Sequence, residues 1–312
     1  MSTLICGSLA YDTIMVFEGR FKDHILPDQL HILNVAFLVP SMRREFGGTA
    51  GNIGYNLRLL GGDPEIMACV GDDAGPYLER LRAQGFQTRA IQTVAGAFTA
   101  QAFITTDLDD NQLTAFHPGA MSSAHINHVS DVPGVRLGIV APDGREAMIQ
   151  HAHEFAAAGI PFVFDPGQGL PMFDGADLKA FVRIAQTIAV NDYEAKLLCE
   201  RTGLSLEDIA GPDKTLLVTR GAAGSHIYRR GSRLEIPAAA PRRVEDPTGC
   251  GDAYRAGLLY GIAQGMDWES TGRLASTMGA LKIEEKGPQN HAPSRDEIAE
   301  RFREAFGYRP WS

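Results

Sequence analysis

From about residue 135 onward the chain alternates short apolar runs with helix-length amphipathic stretches, and this rhythm constrains the fold more than any other feature. Leu137-Gly-Ile-Val140, Phe162-Val-Phe164, Thr187-Ile-Ala-Val190 and Leu216-Leu-Val-Thr219 are the apolar runs. Glu146–Ala158, Asp177–Ile184 and Asp192–Glu200 carry the helical periodicity between them. Strands separated by helices at this spacing predict βαβ units and a parallel sheet covered on both faces. A hairpin is expected over 225–229 and 233–236, and three helices near 251–263, 268–282 and 294–305 close the chain.

The first third reads differently. Leu4-Ile5-Cys6-Gly7-Ser8 is a buried strand ending in a loop, and Gly47 to Asn52 opens a helix that runs through Leu60 to Gly61-Gly62. Residues 14–38 alternate loosely (Ile14, Val16, Phe17, Leu33, Val35, Phe37) around the polar stretch Lys22–Asp28. Phe98–Phe116 alternates around Asp107–Asn111, whose acidic run Asp107–Asp110 reads as a solvated turn. Both segments are expected in one small antiparallel layer, a lid formed by about 12–46 and 97–118. The expectation is one α/β domain over 1–312, with a mostly parallel central sheet and this small β lid.

Composition narrows the functions. With 44% hydrophobic and 21% charged residues in a chain of 312, a large packed core is expected. A net charge of −9 argues against general affinity for nucleic acid or an anionic membrane. Four scattered cysteines, Cys6, Cys69, Cys199 and Cys250, form no CxxC pair, so neither a zinc site nor a disulfide framework is read. No run reaches the ~18 apolar residues of a membrane span. The start shows no leader pattern, and a cytoplasmic setting is expected. His117, His125, His128, His151, His153 and His291 form no ligand spacing and are read as structural or surface residues.

The strongest chemical motif is Asp246-Pro-Thr-Gly249-Cys250-Gly251-Asp252 before the helical run Ala253-Tyr-Arg-Ala-Gly-Leu-Leu. Glycines at a helix start let backbone N–H groups converge on an anion, and the helix dipole adds positive potential there. Asp252 is a poor phosphate contact but suits a general base for an attacking hydroxyl; the competing reading is an N-capping aspartate. Thr219-Arg-Gly221-Ala-Ala-Gly224-Ser225 follows a strand and is not a Walker A loop. It reads either as a nucleotide-lining loop or as a glycine turn joining two strands. Asn191 and Glu194 share one face of a helix start, where they suit Mg²⁺ held through water or a plain helix cap. Gly47-Gly48-Thr-Ala-Gly51-Asn52 permits close ligand approach, with Asn52 offering donor and acceptor to a polyol; Asp12 suits two adjacent hydroxyls.

Taken in order, these motifs resemble the PfkB (ribokinase-like) family of carbohydrate and nucleoside kinases. The resemblance runs from Gly7 to about Pro293 and implies a three-layer fold with a small β-sheet lid. It implies ATP and Mg²⁺, with Asp252 as base and the amides of Gly249, Cys250 and Gly251 around the transferring phosphoryl group. Asn191 and Glu194 would organise Mg²⁺ and phosphates, with Glu194 acting through water. Thr219, Gly221 and Gly224 would line the nucleotide, and Asp12, Gly48 and Asn52 would hold sugar hydroxyls. Cys250 stands where the family usually has Ala, and Pro247 stiffens the turn.

The segment with Asp23-His-Ile-Leu-Pro-Asp28 is similar to the lid of adenosine kinases. Glu284–His291 is similar to their nucleotide wall, placing Gln289 or Asn290 near adenine. Phe37, Phe103 and Phe116 are candidates for a stacking surface or for plain lid core. The expected activity is therefore phosphotransfer to a primary hydroxyl of a nucleoside, with adenosine foremost. Another nucleoside, ribose or fructose is the alternative, and a non-catalytic metabolite binder is the reading of another class. A dinucleotide oxidoreductase ranks last, since Cys6-Gly7-Ser8-Leu9-Ala10 lacks the GxGxxG loop. A small-molecule partner is expected, and a monomer or a homodimer.

Overall fold

The computed structural model describes residues 1–25, 35–109 and 111–311. The chain opens with β1 (Ser2–Cys6), β2 (Ala10–Val16), β3 (Ser41–Gly47), α1 (Thr49–Leu59), β4 (Asp63–Val70), α2 (Gly75–Ala83) and β5 (Ile91–Thr93). It continues through β6 (Ala100–Thr106), β7 (Gln112–His117), β8 (Leu137–Val140), α3 (Arg145–Ala157), β9 (Phe162–Phe164), α4 (Gly175–Ile184), β10 (Thr187–Asn191) and α5 (Asp192–Thr202). It ends with α6 (Leu206–Ala210), β11 (Thr215–Thr219), β12 (Ser225–Arg229), β13 (Ser232–Ile236), α7 (Cys250–Gln264), α8 (Trp268–Ile283) and α9 (Arg295–Phe306).

Nine strands form the large sheet in the order β13-β12-β11-β10-β9-β8-β1-β4-β5. Its strands run parallel from β11 to β5, and the β12–β13 hairpin adds the antiparallel edge. Successive strand side chains point to opposite faces, and both faces are buried. Ile5 joins α1, α2, α7, α8 and α9 in one core, through residues such as Ile53, Tyr77, Leu258, Leu274 and Phe302. Leu4 and Cys6 join α3, α4, α5 and α6 in the other, through Met148, Phe181, Leu198 and Ile209. This is the parallel sheet covered on both faces that the rhythm predicts, and the three-layer arrangement that the resemblance implies.

The segment 63–93, unassigned from the sequence pattern, supplies β4, α2 and β5 at the far edge of the large sheet. The run Pro64–Val70 is buried throughout, so it carries no alternation to mark it.

The small sheet has the order β3-β2-β6-β7. Two expectations need correcting here. Its second strand is Ser41–Gly47, not the stretch around Val35–Phe37, which lies outside any strand. Phe37 instead packs its ring on Phe17 and Phe21, at centroid distances of 4.8 and 5.0 Å. Leu33 and Asp28 lie outside the described residues. The layer is also not wholly antiparallel: β2 and β6 run parallel. Between them the chain passes through β3, α1, β4, α2 and β5, and a parallel pair requires such a long crossover.

The acidic turn is a third correction. Asp107 is buried; its Oδ2 accepts the Phe21 N–H at 2.9 Å and its Oδ1 accepts the N–H groups of Asp109 and Asn111. Asp109 faces outward, paired with Arg20 and Lys22. Asp110 lies outside the described residues.

Candidate active site

The first turn of α7 is the chemical centre. Gly249 sits at its N-cap with φ of 79°, and no side chain caps the helix. That left-handed backbone favours glycine, and a Cβ there would meet Pro288 at 2.8 Å. The Cys250 N–H donates to the Pro247 carbonyl at 3.1 Å, so it is turned inward. Among the described residues, the N–H groups of Gly249 and Gly251 have no protein acceptor. Around Gly251 the space is open. A helix start with free N–H groups and no cap is chemically an anion site.

Asp252 stands in the same turn, and its Oδ2 accepts from Asn52 Nδ2 at 2.9 Å. Asn52 Oδ1 accepts from Gln289 Nε2 at 3.0 Å, and the same Nε2 donates to the Tyr77 hydroxyl at 2.9 Å. That hydroxyl donates to the Gly47 carbonyl at 2.6 Å. A carbonyl can only accept, so the Gly47 end fixes the direction of every proton along the chain. Asn52 must therefore present its NH₂ to Asp252, which favours the ionised carboxylate. Space for this network comes from Gly51, where a Cβ would lie 2.1 Å from the Tyr77 hydroxyl.

Behind Asp252 lies a buried pair. Arg255 Nε and Nη2 each donate to Asp165 at 3.1 Å, and Nη2 also reaches the Ala189 carbonyl at 3.4 Å. Burial pushes the Asp252 carboxyl up to about 7; Asn52 and Arg255 pull it back, while Asp165 and Asp12 push further. Burial also raises Glu194, with Asp165 adding to it and Arg255 opposing. Three carboxylates thus share one guanidinium.

Asp12 lies on β2 directly opposite Glu45 of β3. Burial pushes Asp12 up to about 6, and the charges of Glu45 and Asp246 add to that. The register puts Asp12, Ala102 and Phe116 on one face of the small sheet, and Phe103 with Thr13 and Ala115 on the other. The two phenylalanines therefore do not form one stacking surface. Gly48, with φ of 85°, is the N-cap of α1.

Asn191 and Thr219 are brought together as register partners at the carboxyl ends of β10 and β11. Asn191 and Glu194 close on each other. Glu194 N–H donates to Asn191 Oδ1 at 2.8 Å, Asn191 N–H donates to Glu194 Oε2 at 2.8 Å, and Asn191 Nδ2 donates to Glu194 Oε1 at 2.9 Å. Gly221 and Gly224 form a tight turn between β11 and β12, in which Arg220 N–H donates to the Gly224 carbonyl at 2.8 Å. The Thr219 hydroxyl reaches the Val190 carbonyl at 3.4 Å.

Gln289 is buried against Asn52 and Tyr77, and Asn290 donates to Glu45 Oε2 at 2.9 Å, so both side chains are committed around Asn52 and β3. Sequence reasoning missed Asp165, Arg255 and Tyr77. Two signals were present: an aspartate opening a Pro/Gly loop directly after a buried strand, and an arginine inside an otherwise apolar helical run.

His151 and His291 are buried, with ring nitrogens on the Asn127 carbonyl and on Asn56 Oδ1. No group of three or more His, Cys, Asp or Glu among the described residues is placed to hold a metal ion directly. No helix among the described residues is long and apolar enough to cross a membrane.

A ribokinase-like sheet with an uncapped glycine helix start and a carboxylate beside it defines a kinase scaffold. A sequence model described as "pfkB family carbohydrate kinase" matches residues 13–295, and the chain belongs to that family. It is similar to a Burkholderia thailandensis nucleoside kinase solved in complex with inosine, at 56% identity and a TM-score of 0.91, covering 99% of this chain and 100% of that one. A structure of that enzyme in complex with ADP-inosine matches at 58% identity and a TM-score of 0.88, covering 99% of this chain and 97% of that one. The Methanocaldococcus jannaschii nucleoside kinase is 31% identical over 274 residues, 86% of this chain and 89% of that protein.

Proposed function

We propose that this kinase transfers the γ-phosphoryl group of ATP to the primary hydroxyl of a purine nucleoside. The observation that carries the reading is the directed hydrogen bond from Asn52 to Asp252 beside the free N–H groups of Gly249 and Gly251. Asp252 accepts the hydroxyl proton as the oxygen attacks the γ-phosphorus, and the bond from that phosphorus to the β-phosphate oxygen breaks to release ADP. The amides of Gly249 and Gly251 bind the phosphoryl oxygens as charge builds on them. With its N–H turned to Pro247, Cys250 has a smaller part in this hole.

Asp12 and Asn52 hold the ribose diol, with Gly48 shaping the entry to α1. The apolar side chains of Ile14, Ile104 and Phe116, on the Asp12 face of the small sheet, offer the base a surface. That sheet closes over the acceptor as a lid. Thr219, Gly221 and Gly224 line the nucleotide at the strand ends. Gln289 acts as a positioning residue for Asn52, and Asn290 for Glu45.

The residues fit a hydrated Mg²⁺. Asp165, Glu194 and Asp252 outnumber their single guanidinium, and Glu194 keeps lone pairs beyond its bonds to Asn191. Glu194 would hold the ion through water, and the ion would neutralise charge on the phosphates.

Support for a nucleoside over a free sugar comes from the 56%-identical relative, whose structure contains inosine. Adenosine, indicated by the lid and tail segments, and inosine are the first two candidates. The test is ADP release from Mg-ATP across adenosine, inosine, guanosine, ribose and fructose, with Asp252→Asn as control. Turnover with a purine nucleoside that disappears in the variant is expected. Turnover with a free sugar alone would discard the nucleoside, and binding without any turnover would favour a non-catalytic binder.

A further inference from the structure

Lys282, in the last turn of α8, is wholly withdrawn from solvent at 0% exposure. Its ammonium donates to the main-chain carbonyls of Asp246 at 2.7 Å and Glu285 at 3.0 Å. Among the described residues it makes no ion pair. A buried ammonium held only by carbonyls is expensive unless the position needs a cation. The end of α8 favours one, because the negative pole of the helix dipole lies there.

The residue it grips opens the anion-binding turn. Asp246 is fixed at each of its polar groups. Its N–H donates to the Ile283 carbonyl at 3.2 Å, and its carbonyl takes the Lys282 ammonium. Its carboxylate accepts the N–H groups of Thr248 and Gly287, each at 2.9 Å. From this anchor the chain makes the Pro247–Cys250 turn that leaves the Gly249 and Gly251 amides free. Release of the Asp246 carbonyl would let the turn rotate, and those amides would lose their aim.

We infer that Lys282 is a positioning residue for phosphoryl transfer, a built-in cation that locks the Asp246–Gly251 turn and makes the enzyme independent of free monovalent cations. The two carbonyl oxygens that hold the ammonium are ligands of the kind that also bind NH₄⁺ or K⁺. Removing the side chain should therefore leave a nest that those ions can fill. The inference rests on the kinase reading above, but part of its test does not depend on the substrate.

The experiment compares wild type and Lys282→Ala in NaCl, KCl and NH₄Cl, reading kcat, KM and melting temperature. In NaCl the variant should lose roughly 10²-fold in kcat, the scale of losing an oxyanion donor, with the nucleoside KM within about threefold. It should melt about 5 °C or more below wild type, since it loses two charge-assisted hydrogen bonds. NH₄Cl or KCl should restore kcat roughly tenfold on that same scale and raise the melting temperature, while wild type responds to neither. An unchanged kcat, or a loss that NH₄⁺ and K⁺ fail to rescue, overturns the proposal. So does several-fold activation of wild type by K⁺ over Na⁺, an arm that stands even if the variant does not fold. The cation effect on melting is read without turnover, so a wrong substrate assignment shows separately, as wild type inactive on every nucleoside.

Discussion

The two ends of the proposed site are built in opposite ways. At the acceptor end, Asn52, Tyr77, Gln289 and Asp252 come from four distant segments and are joined by side-chain hydrogen bonds. At the nucleotide end, Asn191–Glu194 and Thr219–Gly224 close on themselves within a few residues, as a capping box and a glycine turn. Local structure alone explains the residues of the second end, since helices and strand connections everywhere use them. Nothing local explains the first. A partly buried carboxylate raised well above its usual range is a cost to the fold, and such costs collect at functional sites. Changes at the acceptor end should therefore reduce activity more than stability, and changes at the nucleotide end should do the reverse.

The largest effect belongs to Asp252→Asn. Loss of a general base should lower kcat by ~10²–10⁴-fold. In wild type, kcat/KM should rise with pH through an apparent pKa near the value of about 7 set by burial, because the base must be ionised. The sign for stability is opposite to that of an ordinary salt-bridged aspartate. The folded-state pKa lies above the usual 3.8, so the folded protein binds this proton more tightly than the unfolded chain. Its contribution to stability is thus present in full below the unfolded pKa and is lost as pH rises from there through about 7. At pH ~8 the asparagine variant should melt at or above wild type, and that advantage should vanish near pH ~4. Melting curves and initial rates on the same samples check both. A variant that is both less stable at pH ~8 and still active would dissolve the contrast between the two ends.

Asn52→Leu comes next. It removes the donor that favours the charged form of Asp252, and burial then acts with less opposition. The acid limb of the pH–rate profile should move to higher pH, with kcat at neutral pH falling roughly tenfold, the scale of a hydrogen bond to a charged group. Gln289→Leu should shift the same limb in the same direction by less, because Asn52 keeps its bond to Asp252 but is no longer held from behind. If neither variant moves the limb, the network is packing and not catalytic support.

Much of this is legible in the sequence alone. The parallel strands from 137 onward could be read because each is a compact apolar run between clear helices. The Gly249–Asp252 turn could be read because glycines at a helix start free N–H groups for an anion; a capping aspartate was the competing reading, and the structure shows no side-chain cap there. What stayed hidden needed tertiary contact. Pro64–Val70 is buried on both sides, so it has no period to betray a strand. Gln289 bridges Asn52 and Tyr77 only when α2 and the segment following α8 pack onto α1. Asp107 looked solvated by composition, yet it is buried because the Phe21, Asp109 and Asn111 amides need an acceptor. Phe103 and Phe116 read as either stacking surface or lid core, and only the register shows that they lie on opposite faces of the small sheet.

The smallest expected effect falls at the nucleotide end and decides whether the contrast is real. Asn191→Ala deletes a helix cap, which typically costs about 1 kcal/mol, or a fall of about 2 °C in melting temperature for a chain of this size. It also frees Glu194 from the Asn191 side-chain amide, so the carboxylate that would hold a hydrated cation is aimed less well. The expected loss in kcat at saturating Mg-ATP is no more than about tenfold, the scale of one charge-assisted hydrogen bond, and raising Mg²⁺ should recover part of it. A far larger loss at an unchanged melting temperature would place Asn191 beside Asn52 in importance. The capping box would then be a ligand-orienting device that happens to cap a helix.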